Sequence, residues 1–195
     1  GTCSPTHMRS DALRVVSQLA ASPNNVFTRP RAAHLGLGHR QIAQLKAAGL
    51  VAEPWRGTLI AFPPDSGPTW LQMIAAATAD REAWASARSA ARLHRLDGLD
   101  TATELDLGCE HQVNVRLAGV NVRRTATVAK TDLVVVDGVR CTNLARTLCD
   151  LGSVVDPFTL ERAFDDVVRR RANPRWIRET AERTVSSRLD GPRCP

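Results

Sequence analysis

Apolar residues at helical spacing, Leu13, Val16, Leu19 and Ala20, predict a first helix over 11–21, with Ser10 placed to cap it. Pro23-Asn24-Asn25 ends that pattern. Thr28 is the next capping candidate, and Pro30 falls in a first turn, where its missing N–H costs little, so a short second helix runs to about Leu35. Gly36-Leu37-Gly38 then makes a tight connection to a third helix over 39–48, with Ile42 and Leu45 on one face and Gly49 as its stop. Two short apolar runs, 50–52 and 58–62, flank Glu53-Pro54-Trp55-Arg56-Gly57 and read as a β-ribbon. Two short helices about a glycine turn, followed at once by a ribbon, predict a winged helix-turn-helix.

The stretch 63–68, Pro-Pro-Asp-Ser-Gly-Pro, is the strongest break in the chain and sets the expected boundary. The expected organisation is a tag scar over 1–8, a winged helix over 9–63, a linker over 64–69, an α/β domain over 70–188 and a tail over 189–195. Within the second domain, 70–79 and 83–93 read as Ala-rich helices. Alternation over 103–107, 113–117 and 120–123 predicts three strands of a small antiparallel sheet, and 133–136 with 139–141 a hairpin about Asp137-Gly138. Helices follow over 143–151, 159–171 and 175–185. The fold class is therefore α/β of the α+β kind: a winged helix, then a mixed domain with a mainly antiparallel sheet and C-terminal helices.

Charge sharpens this picture. The chain of 195 residues carries a net charge of +6. Lys and Arg stand against Asp and Glu as 7 to 3 over 1–68, 10 to 11 over 69–156 and 9 to 6 over 157–195, so the excess lies at the two ends. With no Tyr, four Trp and four Phe, base stacking on aromatic platforms is a poor means of holding nucleic acid. Groove reading by a helix is the better fit. With Ile42 and Leu45 inward, His39, Arg40, Gln41, Gln44 and Lys46 face out. Arg40 suits guanine, Gln41 or Gln44 suits adenine, and Lys46 a phosphate. Arg29 and Arg31 begin the preceding helix, and Arg56 tips the wing. The expected partner is double-stranded DNA. Inverted repeats would take two copies, which makes a homodimer on DNA part of the expectation. The basic run Arg169-Arg170-Arg171 with Arg175 and Arg178 is either a further phosphate contact or a solvated helix.

The five cysteines show no zinc spacing, and no apolar run approaches the ~20 residues of a membrane helix. A cytoplasmic protein with reduced thiols, no metal, no cofactor and no membrane partner is expected, with Cys141 and Cys149 as small core residues. A nuclease site would need an acid followed by a strand bearing D/E-x-K, and neither Lys46 nor Lys130 follows an acid by two positions. Glu104 and Asp106 read as exposed residues on one strand face. His94 and His111 lack the serine and acid of a hydrolase, His94 reading as a helix-end residue bonded to nearby backbone. Arg146 and Asp150, four apart, read as an intrahelical pair. No catalytic residue is expected.

The run 28–62, the element Ala87-Arg88-Ser89-Ala90-Ala91-Arg92-Leu93-His94-Arg95-Leu96-Asp97-Gly98, and the element from Val136-Asp137-Gly138 through Arg146-Thr147-Leu148-Cys149-Asp150-Leu151 together resemble the AbiEi-type antitoxin family of type IV toxin-antitoxin systems. That resemblance implies repression of the chain's own operon through promoter repeats, and neutralisation of a nucleotidyltransferase-like toxin encoded beside it. Promoter contacts would fall to Arg29, Arg31, His39, Arg40, Gln41, Gln44 and Arg56. The chain departs from the family's pattern at Gly57-Thr58-Leu59 and at Arg95. The alternatives are a stand-alone phage or host immunity regulator, and the remnant of a restriction-like endonuclease protein that lacks its catalytic half.

Overall fold

The structure is a computed structural model that describes residues 23–62, 66–125 and 128–189. The expected helix over 11–21 lies outside the described residues. The chain divides into two compact units, residues 1–80 and 81–195. Among the described residues there are seven α-helices and two small sheets, so the fold is a mixed α+β one. No helix among them is long and apolar enough to cross a membrane.

In the first unit, strand β1 (Val26–Thr28) leads into α1 (Arg29–His34) and α2 (His39–Ala47), then strands β2 (Val51–Trp55) and β3 (Thr58–Ala61). β3 lies between β1 and β2, antiparallel to both. Sequence patterning misses β1, because three residues are too few to show a period. Pro30 occupies the first turn of α1, and Gly36 takes φ +83° in the turn after it, a conformation a side chain would strain. Leu37, Ile42 and Leu45 close on Phe27, Ala32, Val51, Leu59 and Ala61 in one core. Helix α3 (Trp70–Thr78) belongs to this unit, not to the domain after it. The boundary thus falls after Asp80, later than the proline-rich break suggests. Thr69 and Gln72 form a reciprocal cap at the start of α3, and the Gln72 amide donates to the Ala61 carbonyl at 3.2 Å, tying the helix to β3.

The second unit has β4 (Ala83–Ala85), α4 (Ala87–Leu93), β5 (Leu105–Glu110), β6 (Val120–Thr125), β7 (Leu133–Val136), β8 (Val139–Thr142), α5 (Leu144–Leu151), α6 (Pro157–Arg169) and α7 (Pro174–Leu189). Strand order is β6-β5-β4-β8-β7. The sheet is mixed, not mainly antiparallel: β4 runs antiparallel to β5 and β7 to β8, while β5 with β6 and β4 with β8 are parallel. Three expectations are corrected. Residues 83–93 are a strand and a helix, with Ser86 between them and Ala87 turning at φ +44°. Residues 113–117 form no strand, so β6 pairs in parallel with β5 instead of closing a hairpin. Asp106 is fully buried rather than exposed, and Glu104 precedes the strand instead of sharing its face.

The reason for that last reversal is electrostatic. The Asp106 carboxylate accepts from the Arg88 Nε at 2.9 Å, the Arg88 backbone N–H at 3.2 Å and the Asn121 amide at 2.9 Å, so its charge is compensated where it lies. Helices α4 to α7 bury a core that includes Ala91, Leu96, Ala145, Leu148, Ala163, Val167 and Ile177.

Candidate nucleic-acid interface

α2 is a nine-residue helix with only two side chains turned inward, Ile42 and Leu45, each 4% exposed. Their spacing of three fixes the helix's rotation on the core, and that rotation leaves His39, Arg40, Gln41, Gln44 and Lys46 exposed. Arg31 on α1 is exposed as well. The wing is a tight hairpin in which Trp55 pairs with Thr58, so Arg56 and Gly57 are its tip; Gly57 takes φ +90° and Arg56 is exposed. Among the described residues the side chains of Arg31, Arg40, Gln44 and Arg56 make no hydrogen bond or ion pair.

The other candidates are engaged. Arg29 grips Glu53 with Nε and Nη2 on its two carboxylate oxygens, both at 2.8 Å. The Lys46 Nζ reaches the same carboxylate at 2.9 Å, and the Gly57 backbone N–H donates to it at 3.1 Å. The Arg29 Nη1 also donates to His39 Nδ1 at 3.3 Å, which places the proton of a neutral His39 ring on Nε2. Gln41 turns its side-chain oxygen back to accept the Gly38 N–H at 2.7 Å, capping α2, so of its amide only the donor end is left for a ligand.

Glu53 is the residue sequence reasoning missed. Its side chain is 10% exposed, and the Arg29 guanidinium beside it, helped by Lys46 and the Gly57 N–H, holds its carboxyl down at about 2. One carboxylate therefore joins the start of α1, the last turn of α2, strand β2 and the wing turn. Nothing in its sequence position signals this, since Glu53 stands 24 residues from Arg29.

In the second unit His94 is mostly buried, and its Nε2–H donates to the Thr142 carbonyl at 2.7 Å; burial holds the imidazole below its ordinary value. Arg146 and Asp150 pair along α5 at 3.1 Å. Asp132, at 3% exposed, takes Arg183 at 2.6 Å. The basic run of α6 is largely committed: Arg170 donates to the His94 and Arg95 carbonyls and to Asp166, Arg169 lies within 3.9 Å of both Asp97 and Asp166, and Arg162 meets Asp97. Arg175, on α7, pairs with Glu179. Among the described residues no group of three His, Cys, Asp or Glu side chains stands close enough to hold a metal ion.

No family model matches this chain, and no curated protein matches it. Among solved structures it is similar to the crystal structure of the RV2827C protein from Mycobacterium tuberculosis, at 21% identity over 91% of this chain and 77% of that one, with a TM-score of 0.49.

Proposed function

We propose that this protein binds duplex DNA in a sequence-specific way through its first unit, with α2 entering the major groove, that it represses transcription of its own operon, and that it serves as the antitoxin of a toxin-antitoxin pair. The observation that carries the reading is a set of donors uncommitted among the described residues, Arg40 and Gln44 on α2, Arg31 on α1 and Arg56 at the wing tip, around a helix whose opposite face is locked into a core. In this arrangement Arg40 reads guanine and Gln44 adenine, Arg31 meets a phosphate, and Arg56 reaches backbone or minor groove. Arg29 and Lys46, neutralised in part by Glu53, orient the wing against α2 more than they attract DNA.

The antitoxin half of the proposal rests on the two sequence elements of the second unit. They meet in space, because His94 of the first bonds the Thr142 carbonyl of the second and Ala91 shares a core with Ala145. The experiment is fluorescence anisotropy with DNA from upstream of the protein's own gene against scrambled DNA, across a salt series. Arg40→Ala with Gln44→Ala should abolish the preference while leaving weak, salt-sensitive binding. Failure to bind any duplex at low salt ends the DNA reading. Co-expression with a neighbouring nucleotidyltransferase gene tests the antitoxin role, which fails if growth is not restored.

A further inference from the structure

Helices α5, α6 and α7 of the second unit bound an apolar groove of ≈ 540 Å³ whose walls include Leu148, Pro157, Leu160, Phe164, Ile177 and Ala181. α6 buries Ala163 and Val167 against the core, yet it also presents Phe158 at 68%, Phe164 at 41% and Val168 at 40% exposure, and α7 presents Val185 at 56%. Scattered apolar side chains on a surface are ordinary. Here, among the described residues, every large exposed one except Val135 lies on the two helices that flank one groove.

The charges around it are equally uneven. On the far side of α6, Arg162, Arg169 and Arg170 are matched by Asp97 and Asp166. Glu161 lines the groove and Asp165 follows it one turn later on α6, and neither makes an ion pair among the described residues; nor does Arg178, next in sequence to the groove-lining Ile177 on α7. The groove therefore has an acidic rim along α6.

We infer that this groove receives an amphipathic helix of a partner protein, its apolar ridge seated on Phe164 and Ile177 and its Lys or Arg flank turned to Glu161 and Asp165. Other occupants fit less well. DNA and an anionic membrane surface are repelled by the acidic rim. A small ligand would want convergent polar groups, and among the described residues Glu161 is the only charged side chain lining the groove. A second copy related by a two-fold axis through α6 would set Glu161 and Asp165 against themselves. The inference goes beyond the DNA-binding reading and does not rest on it, since all these residues belong to the second unit.

The test uses the full chain and two fluorescein-labelled synthetic helices of about 16 residues, both with leucines at i, i+3, i+4 and i+7, one with a lysine flank and one with a glutamate flank. The lysine peptide should saturate the anisotropy signal and bind about fivefold to tenfold more tightly than the glutamate peptide at low salt. Glu161→Lys with Asp165→Lys should reverse that order, a gain that misfolding cannot mimic. Phe164→Ser should weaken both peptides by about tenfold or more, with far-UV circular dichroism unchanged. Equal affinity for the two peptides, or an order untouched by the double charge reversal, overturns the inference. So does a concentration-dependent dimer, seen by sedimentation, that Phe164→Ser dissociates, because a second copy would then own the groove. DNA anisotropy on the same variants separates this failure from that of the first unit's reading.

Discussion

A carboxylate that accepts from an arginine, a lysine and a backbone N–H is worth most where it is ionised and its partners are held. Glu53 has its folded pKa depressed to about 2 from a normal value near 4.5. Its contribution to stability is therefore complete above pH ~4.5 and is lost as pH falls from there through about 2. Glu53→Gln should cost the first unit about 1–3 kcal/mol at neutral pH and flatten that acid dependence, read by urea unfolding at pH 7 and pH 3.5. The same substitution releases Arg29 and Lys46, so binding to nonspecific DNA should tighten and the salt slope steepen by ~0.9 per cation released. An unchanged slope would take both cations out of the interface. Cys141 offers a second check: burial pushes its thiol up to about 12. Iodoacetamide at pH 8 should leave it unmodified in the folded protein and label it only after denaturation, as mass spectrometry would report.

Elements with a long apolar period were legible in the sequence, and those defined by a partner were not. α1, α2 and the wing show their glycine stops and alternation openly, and α5, α6 and α7 lie within a few residues of where the sequence places them. β4 was hidden because Ala-Trp-Ala-Ser-Ala runs straight into an Ala-rich helix, and the turn that separates them is made by Ala87 at a positive φ that no glycine advertises. The parallel β5–β6 pair was hidden because Ala118-Gly119 looks like a hairpin turn, whereas the connection between the two strands is nine residues of irregular chain, 111–119. Within the sheet, Gly108 sits opposite Trp84, and a Cβ there would fall well inside the indole's van der Waals surface; the Arg140 guanidinium lies 5.7 Å from the ring centroid of the same Trp84. Gly108→Ala should therefore destabilise the second unit by about 1–3 kcal/mol, seen as a lowered melting temperature, while leaving the first unit's DNA affinity alone.

Over the whole molecule, the candidate site was legible as a list of outward residues but not as a network. Arg40, Gln44, Arg31 and Arg56 follow from helix rotation and hairpin geometry, which sequence encodes locally. That Arg29 and Lys46 are tied up by Glu53 depends on a meeting of α1, α2 and β2, which it does not. The division into units was misplaced for a similar reason: proline and glycine mark where the chain turns, whereas the Gln72 bond to Ala61 decides which core the next helix joins. A fragment of residues 1–80 should fold and keep DNA binding. One ending at 63 should lose about 2 kcal/mol or more through the missing helical layer, measurable by circular dichroism and anisotropy together.

β4, the first strand of the second sheet to be synthesised, ends up at its centre, with β5 on one side and β8 on the other. During translation β5 and β6 emerge next and can cover one flank, but the other stays bare until residues 139–142 have left the ribosome. A nascent chain stalled between those points should recruit chaperones or aggregate, and release of β8 should mark the moment at which it becomes resistant to protease.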